Sequence, residues 1–165
     1  MDYQSINYDA INRLFCRNQG KNRKAIEGQF NLEQISYKKR VDLICNTILS
    51  LNDKFKICRI LFWEKDENIK TFLQRSFPEE KFIIYKSYEN KKTPGICFIH
   101  TQKESNTLFR ILLTNHFNYE LAKEPALNIR VQIYIETIYT SFFLDIYDDR
   151  GFYMHIGDGH LPSAE

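Results

Sequence analysis

Between residues 129 and 136 the chain reads Ile-Arg-Val-Gln-Ile-Tyr-Ile-Glu. This alternation, with a period of two, sets Ile129, Val131, Ile133 and Ile135 on one side of an extended segment and Arg130, Gln132, Tyr134 and Glu136 on the other. A helix would scatter the four aliphatic residues around its circumference. As a strand they form one continuous apolar face, so the fold must contain a sheet with at least one face covered by other elements.

Further strands are expected on the same reasoning. Residues 57–63 are nearly all apolar apart from Arg59, the pattern of a central strand. Residues 82–85 and 96–100 read as two more strands, separated by the polar stretch 89–95. Residues 142–147 and 152–156 flank Asp148-Asp149-Arg150-Gly151, whose early acids and late glycine suit the turn of a hairpin. A strand is also expected over 25–32, weakened by Gly28.

Helical periodicity appears in the intervals. Over 36–52, Tyr37, Val41, Ile44, Cys45, Ile48 and Leu49 share a stripe opposite Lys38, Lys39, Asp42 and Asn46. Ser5 can cap a helix over 6–17 that closes at Asn18-Gln19-Gly20, ahead of a basic loop at 21–24. A short helix over 67–75 should end before Pro78, and 106–117 forms a fourth. The pattern predicts one α+β domain over residues 1–156, a largely antiparallel sheet with helices packed on one face, followed by a flexible tail at 157–165. A length of 165 residues with 43% hydrophobic content suits a single core without disulfides or metal.

Charge and cysteine usage narrow the chemistry. The net charge is only +2, too small to draw the whole molecule to nucleic acid or membrane. It is unevenly spread: residues 1–40 hold eight Lys/Arg against four acids, and residues 145–165 hold five acids against Arg150. Cys16, Cys45, Cys58 and Cys97 show no Cys-x-x-Cys spacing, so free thiols are expected, three of them in apolar surroundings. Free thiols suit a reducing cytoplasm. The opening Met-Asp-Tyr-Gln-Ser-Ile lacks the basic and apolar blocks of an export signal, and no apolar run approaches a membrane span.

The densest polar cluster is Asp145, Asp148, Asp149 and Arg150, with Tyr147 among them. Carboxylates so close together could hold a hard cation, form an acidic recognition surface, or simply accept turn hydrogen bonds. His100, His116, His155 and His160 could supply a base, yet no nucleophile elbow, paired zinc-binding histidines or phosphate loop accompanies them. Trp63 reads as an anchor at the edge of the core. No cofactor or metal is expected.

At Phe143-Leu-Asp-Ile-Tyr-Asp-Asp-Arg-Gly151 the sequence resembles a bacterial family of unknown function marked by an apolar strand ending in Tyr-Asp-Asp-Arg-Gly. Phe30-Asn-Leu-Glu33 ahead of Lys39-Arg40-Val41, and the strand 129–136, resemble that family's early strand-to-helix junction and penultimate strand. In type the chain also resembles immunity proteins of bacterial toxin systems such as contact-dependent growth inhibition. That resemblance implies a cytoplasmic antitoxin that is no enzyme and that neutralises a cognate toxin domain, a nuclease, by stoichiometric occlusion. Asp145, Tyr147, Asp148, Asp149 and Arg150 are the expected partner-binding residues. The alternatives are a metal-assisted hydrolase built on Asp145, Asp148, Asp149 and His155, or a nucleic-acid-associated domain using the basic N-terminal region. The residues leave oligomeric state open.

Overall fold

A computed structural model describes residues 6–22, 29–31, 36–51, 53–101, 106–148 and 151–156. Eleven elements follow one another: α1 (Tyr8–Asn22), β1 (Gln29–Asn31), α2 (Tyr37–Ser50), β2 (Asp53–Phe62), α3 (Asp66–Ser76), β3 (Lys81–Lys86), β4 (Gly95–Thr101), α4 (Asn106–Glu120), β5 (Ile129–Thr137), β6 (Ser141–Asp148) and β7 (Gly151–Ile156). The strands form one seven-stranded sheet in the order β1-β7-β6-β5-β2-β4-β3, and every pairing is antiparallel. The α+β class and the single domain stand as expected. Of the strand expected over 25–32, residues 29–31 are described and pair with β7. α1 runs through the expected stop at Asn18-Gln19-Gly20 and takes in residues 21–22 of the loop expected at 21–24; residues 23–24, Ser5 and the segment 157–165 lie outside the described residues. It is Asn7 that accepts from the backbone N–H of Ala10 at the start of α1 (3.1 Å).

The period-two pattern separates two cores. Ile129, Val131, Ile133 and Ile135 of β5 join Cys58, Ile60 and Phe62 of β2 and Leu144 and Ile146 of β6 under α2, α3 and α4. The alternate residues Ile57, Phe98, Tyr134 and Phe143 face the other way, onto Ile11, Leu14 and Phe15 of α1. Three helices therefore share one face, and α1 covers the opposite one, a correction to the expectation of helices on one face only. The physical reason lies in the central strands. Ile57, Tyr134 and Phe143 are all at most 1% exposed, so the second face carries apolar area that must be kept from water, at roughly 1.5–3 kcal/mol for each large side chain. Phe15 meets the rings of Phe98 and Phe143 at 6.0 and 5.5 Å.

The termini of the central strands are tightly built. Gly95 pairs with Phe62 across β2 and β4, and the Phe62 ring lies directly over it. A Cβ at position 95 would sit 2.1 Å from Phe62 Cζ, so this strand position requires glycine for close approach. Among the described helices, none is long and apolar enough to cross a membrane.

Candidate functional site

Beneath α1 a row of polar side chains crosses the sheet. Arg59 of β2 is paired with Gln132 of β5, Gln132 with Asp145 of β6, and Asp145 with Tyr153 of β7. Arg59, Gln132 and Asp145 are 4%, 0% and 1% exposed, so each must find hydrogen bonds inside the protein. The partners come from the sheet and from α1. Arg130 donates through Nε (2.8 Å) and Nη2 to the two oxygens of Asp145, and Gln132 Nε2 donates to Asp145 Oδ1 and to Gln19 Oε1 of α1. Arg59 donates to Asn12 Oδ1 at 3.1 Å and lies over the Phe15 ring, 5.6 Å from its centroid. His155 Nε2 sits 3.2 Å from Asn18 Oδ1. The polar positions of α1 at 12, 18 and 19 thus match the polar row of the sheet.

This geometry corrects one expectation. Asp145 is not part of an exposed acidic surface, because its side chain points onto the α1 face and is committed to Arg130 and Gln132. Tyr147 is half-buried, with its ring centroid 5.0 Å from that of Tyr153. The backbone of Asp148 ends β6 opposite Gly151; its side chain, like Asp149 and Arg150, lies outside the described residues. Among the described residues no group of three or more His, Cys, Asp or Glu could hold a metal ion.

The same Arg130 reaches a second feature that sequence reasoning did not assemble. At the end of the sheet where β2 finishes and β5 begins, an open groove of about 650 Å³ is lined by Trp63, Tyr88, Lys91, His116, Tyr119, Glu120, Asn128, Ile129, Arg130 and Tyr147. That volume lies within the range of ligand and recognition clefts. Its walls are the β2–α3, β3–β4 and α4–β5 loops, the C-terminal part of α4, the start of β5 and the end of β6, and hydrogen bonds tie the loops to one another. Trp63 Nε1 donates to the Lys91 carbonyl (3.1 Å), and the Trp63 backbone N–H donates to the Asn128 carbonyl (2.9 Å). Glu64 Oε1 accepts from the Asn128 N–H and Asp66 Oδ1 from the Tyr88 N–H. The β2–α3 loop is thereby joined to both the α4–β5 and β3–β4 loops, and the groove is preformed. Trp63, expected as a core-edge anchor, is a half-buried wall residue.

Outside the groove, burial and hydrogen bonding shift several titratable groups. Burial pushes the Cys45 thiol up to about 11 and the Cys97 thiol up to about 12, and raises Cys58 further; these three are buried and Cys16 is exposed. All three buried thiols are protonated at neutral pH and poor nucleophiles. Burial lowers His100 to about 4, so it is neutral at pH 7, next to the Tyr8 ring. The hydrogen bond to Asp9 raises Tyr85 and pins the start of α1 to β3.

Comparison with protein-family models, curated proteins and solved structures finds no match for this chain.

Proposed function

We propose that the chain is a stoichiometric protein-binding module, a cytoplasmic immunity protein that neutralises a cognate toxin domain by covering it. The observation that carries this reading is the composition of the preformed groove: Trp63, Tyr88, Tyr119, Tyr147 and Arg130 converge on one opening. Trp, Tyr and Arg are the residue types that dominate the energetics of protein interfaces, because they bring large contact area with few rotatable bonds. Loops already tied together lose little freedom on binding, which favours tight association. Tyr147 lines the groove and is followed in sequence by Asp148 and Asp149, whose negative charge would steer a basic toxin that the groove then anchors.

The test is co-expression of this chain with the toxin domain encoded beside its gene. The reading predicts restored growth and a purified complex of one copy each. It is overturned if no toxin is encoded there, or if the two chains pass through a sizing column separately. A toxin that is a nuclease should also lose its activity in proportion to the amount of this chain added, with a sharp end point at equimolar ratio.

A further inference from the structure

We infer that the groove reads a carboxylate next to an aromatic ring on the partner, a proposal that rests on the binding reading above and names the chemistry of its contact. Two cations face the groove from different walls. Arg130 is held from behind: Asp145, itself buried, takes its Nε and Nη2 in a bidentate pair. The guanidinium plane is therefore fixed before any partner arrives, and Nη1 is the nitrogen left with no acceptor among the described residues. A clamped guanidinium gives up little rotamer entropy when it binds an anion. Lys91 stands on the β3–β4 loop, exposed, with no acid within salt-bridge distance among the described residues. Its carbonyl is held by the Trp63 indole, which fixes the loop while leaving the ammonium able to turn toward a ligand.

Glu120 is the acid that lines the groove, and Asp145 is engaged on the far edge of Arg130. Arg130 and Lys91 are the two cations of the lining, and Trp63, Tyr88, Tyr119 and Tyr147 supply its aromatic surface. An aromatic ring laid against Trp63 and Tyr147, carrying a carboxylate into reach of the two cations, satisfies both parts of the lining. A basic side chain would meet two cations against the single acid Glu120, and a purely apolar one would leave the cations without an acceptor.

The probe is the indole N–H signal of Trp63, unambiguous because the chain has one tryptophan, followed by NMR during titration of three small compounds. N-acetyl-tyrosine carries a terminal carboxylate, N-acetyl-aspartyl-tyrosinamide a side-chain carboxylate, and N-acetyl-tyrosinamide the same ring with no charge. At least one acid should move the indole signal saturably and bind about fivefold or more tighter than the neutral amide, the gain expected from one charge-assisted contact. The tighter acid assigns the source as a chain terminus or an Asp/Glu side chain. Lys91→Gln should remove most of the preference, and Lys39→Gln, which deletes the same charge from α2, should leave it. An unmoved indole signal, equal affinity for the amide, or identical effects of the two lysine variants would overturn the proposal. If Trp63→Ala breaks the toxin complex while no acid preference is seen, this chemistry falls and the binding reading survives. If the preference holds but groove variants leave toxin binding intact, the reverse is established.

Discussion

Replacing Asp145 by asparagine distinguishes a buried structural carboxylate from an exposed recognition acid. Asp145 is 1% exposed and accepts two bonds from Arg130 and one from Gln132. Removing one partner of a buried ion pair costs roughly 3–5 kcal/mol, because the other charge is left uncompensated. Two features lower the figure for Asp145→Asn. The Arg130 side chain is 29% exposed and can recover some hydration, and the amide oxygen retains one acceptor. A loss of about 2–3 kcal/mol remains. With a urea dependence of about 2 kcal/mol per molar, the unfolding midpoint falls by roughly 1–1.5 M. A surface acid would shift stability by no more than about 0.5 kcal/mol. Equilibrium urea unfolding followed by Trp63 fluorescence measures this directly. The double variant Asp145→Leu with Arg130→Met should regain much of the loss, since apolar replacement of both members of a buried pair is often neutral. Asp145→Asn with an unchanged midpoint and slope would refute the buried-clamp account of Arg130, and with it the preorganised cation in the groove.

Three other perturbations address the fold. Gly95→Ala places a methyl group 2.1 Å from the ring of Phe62, which is 0% exposed; about 1–3 kcal/mol should be lost and partly regained with Phe62→Leu, as thermal unfolding would record. Ile133→Asp puts a charge into the core under α2 and α4, where position 133 is 0% exposed, and should abolish cooperative unfolding because the cost approaches a whole domain's stability; a normal melting curve would refute the assignment of that face. The folded His100 takes up its proton only near pH 4, against 6.5 for the unfolded chain, so its contribution is complete above pH 6.5 and is lost as pH falls toward 4. Between pH 7 and pH 5 the wild type should lose about 2 kcal/mol more than His100→Asn; parallel pH profiles of the two would contradict this.

Much of this architecture is legible in the sequence because its strands and helices are long and strongly periodic. The alternation at 129–136 gives β5 and its core face, and the stripe of Val41, Ile44, Cys45 and Ile48 gives the buried side of α2. The side of the sheet that α1 covers is less legible. Arg130, Gln132 and Tyr134 resemble a solvent face when β5 is read alone. Only the register that sets Gln132 between Arg59 and Asp145 shows that the three form one row beneath α1, where Gln132 donates to Asp145 and Gln19, and Arg59 donates to Asn12. Asp145 is hard to place for the same reason: in sequence it leads into the acidic run Asp148-Asp149, while its partner in space is fifteen residues upstream. The groove draws on residues from 63 to 147 with no shared motif. A faint signal exists in that Trp63, Tyr88, Tyr119 and Tyr147 each fall at or just beyond the end of an element, where a large aromatic side chain is available to a surface rather than a core.

The most direct test of the central proposal, that the groove is the surface through which this chain holds a protein partner, is a calorimetric titration with the proposed partner, a toxin domain encoded beside its gene. Wild type should bind one to one, and Trp63→Ala and Tyr147→Ala, each with a circular-dichroism spectrum like the wild type's, should each weaken the complex by roughly 30-fold or more, as expected for an interface anchor worth at least about 2 kcal/mol. Folded variants that bind as tightly as the wild type would contradict the claim.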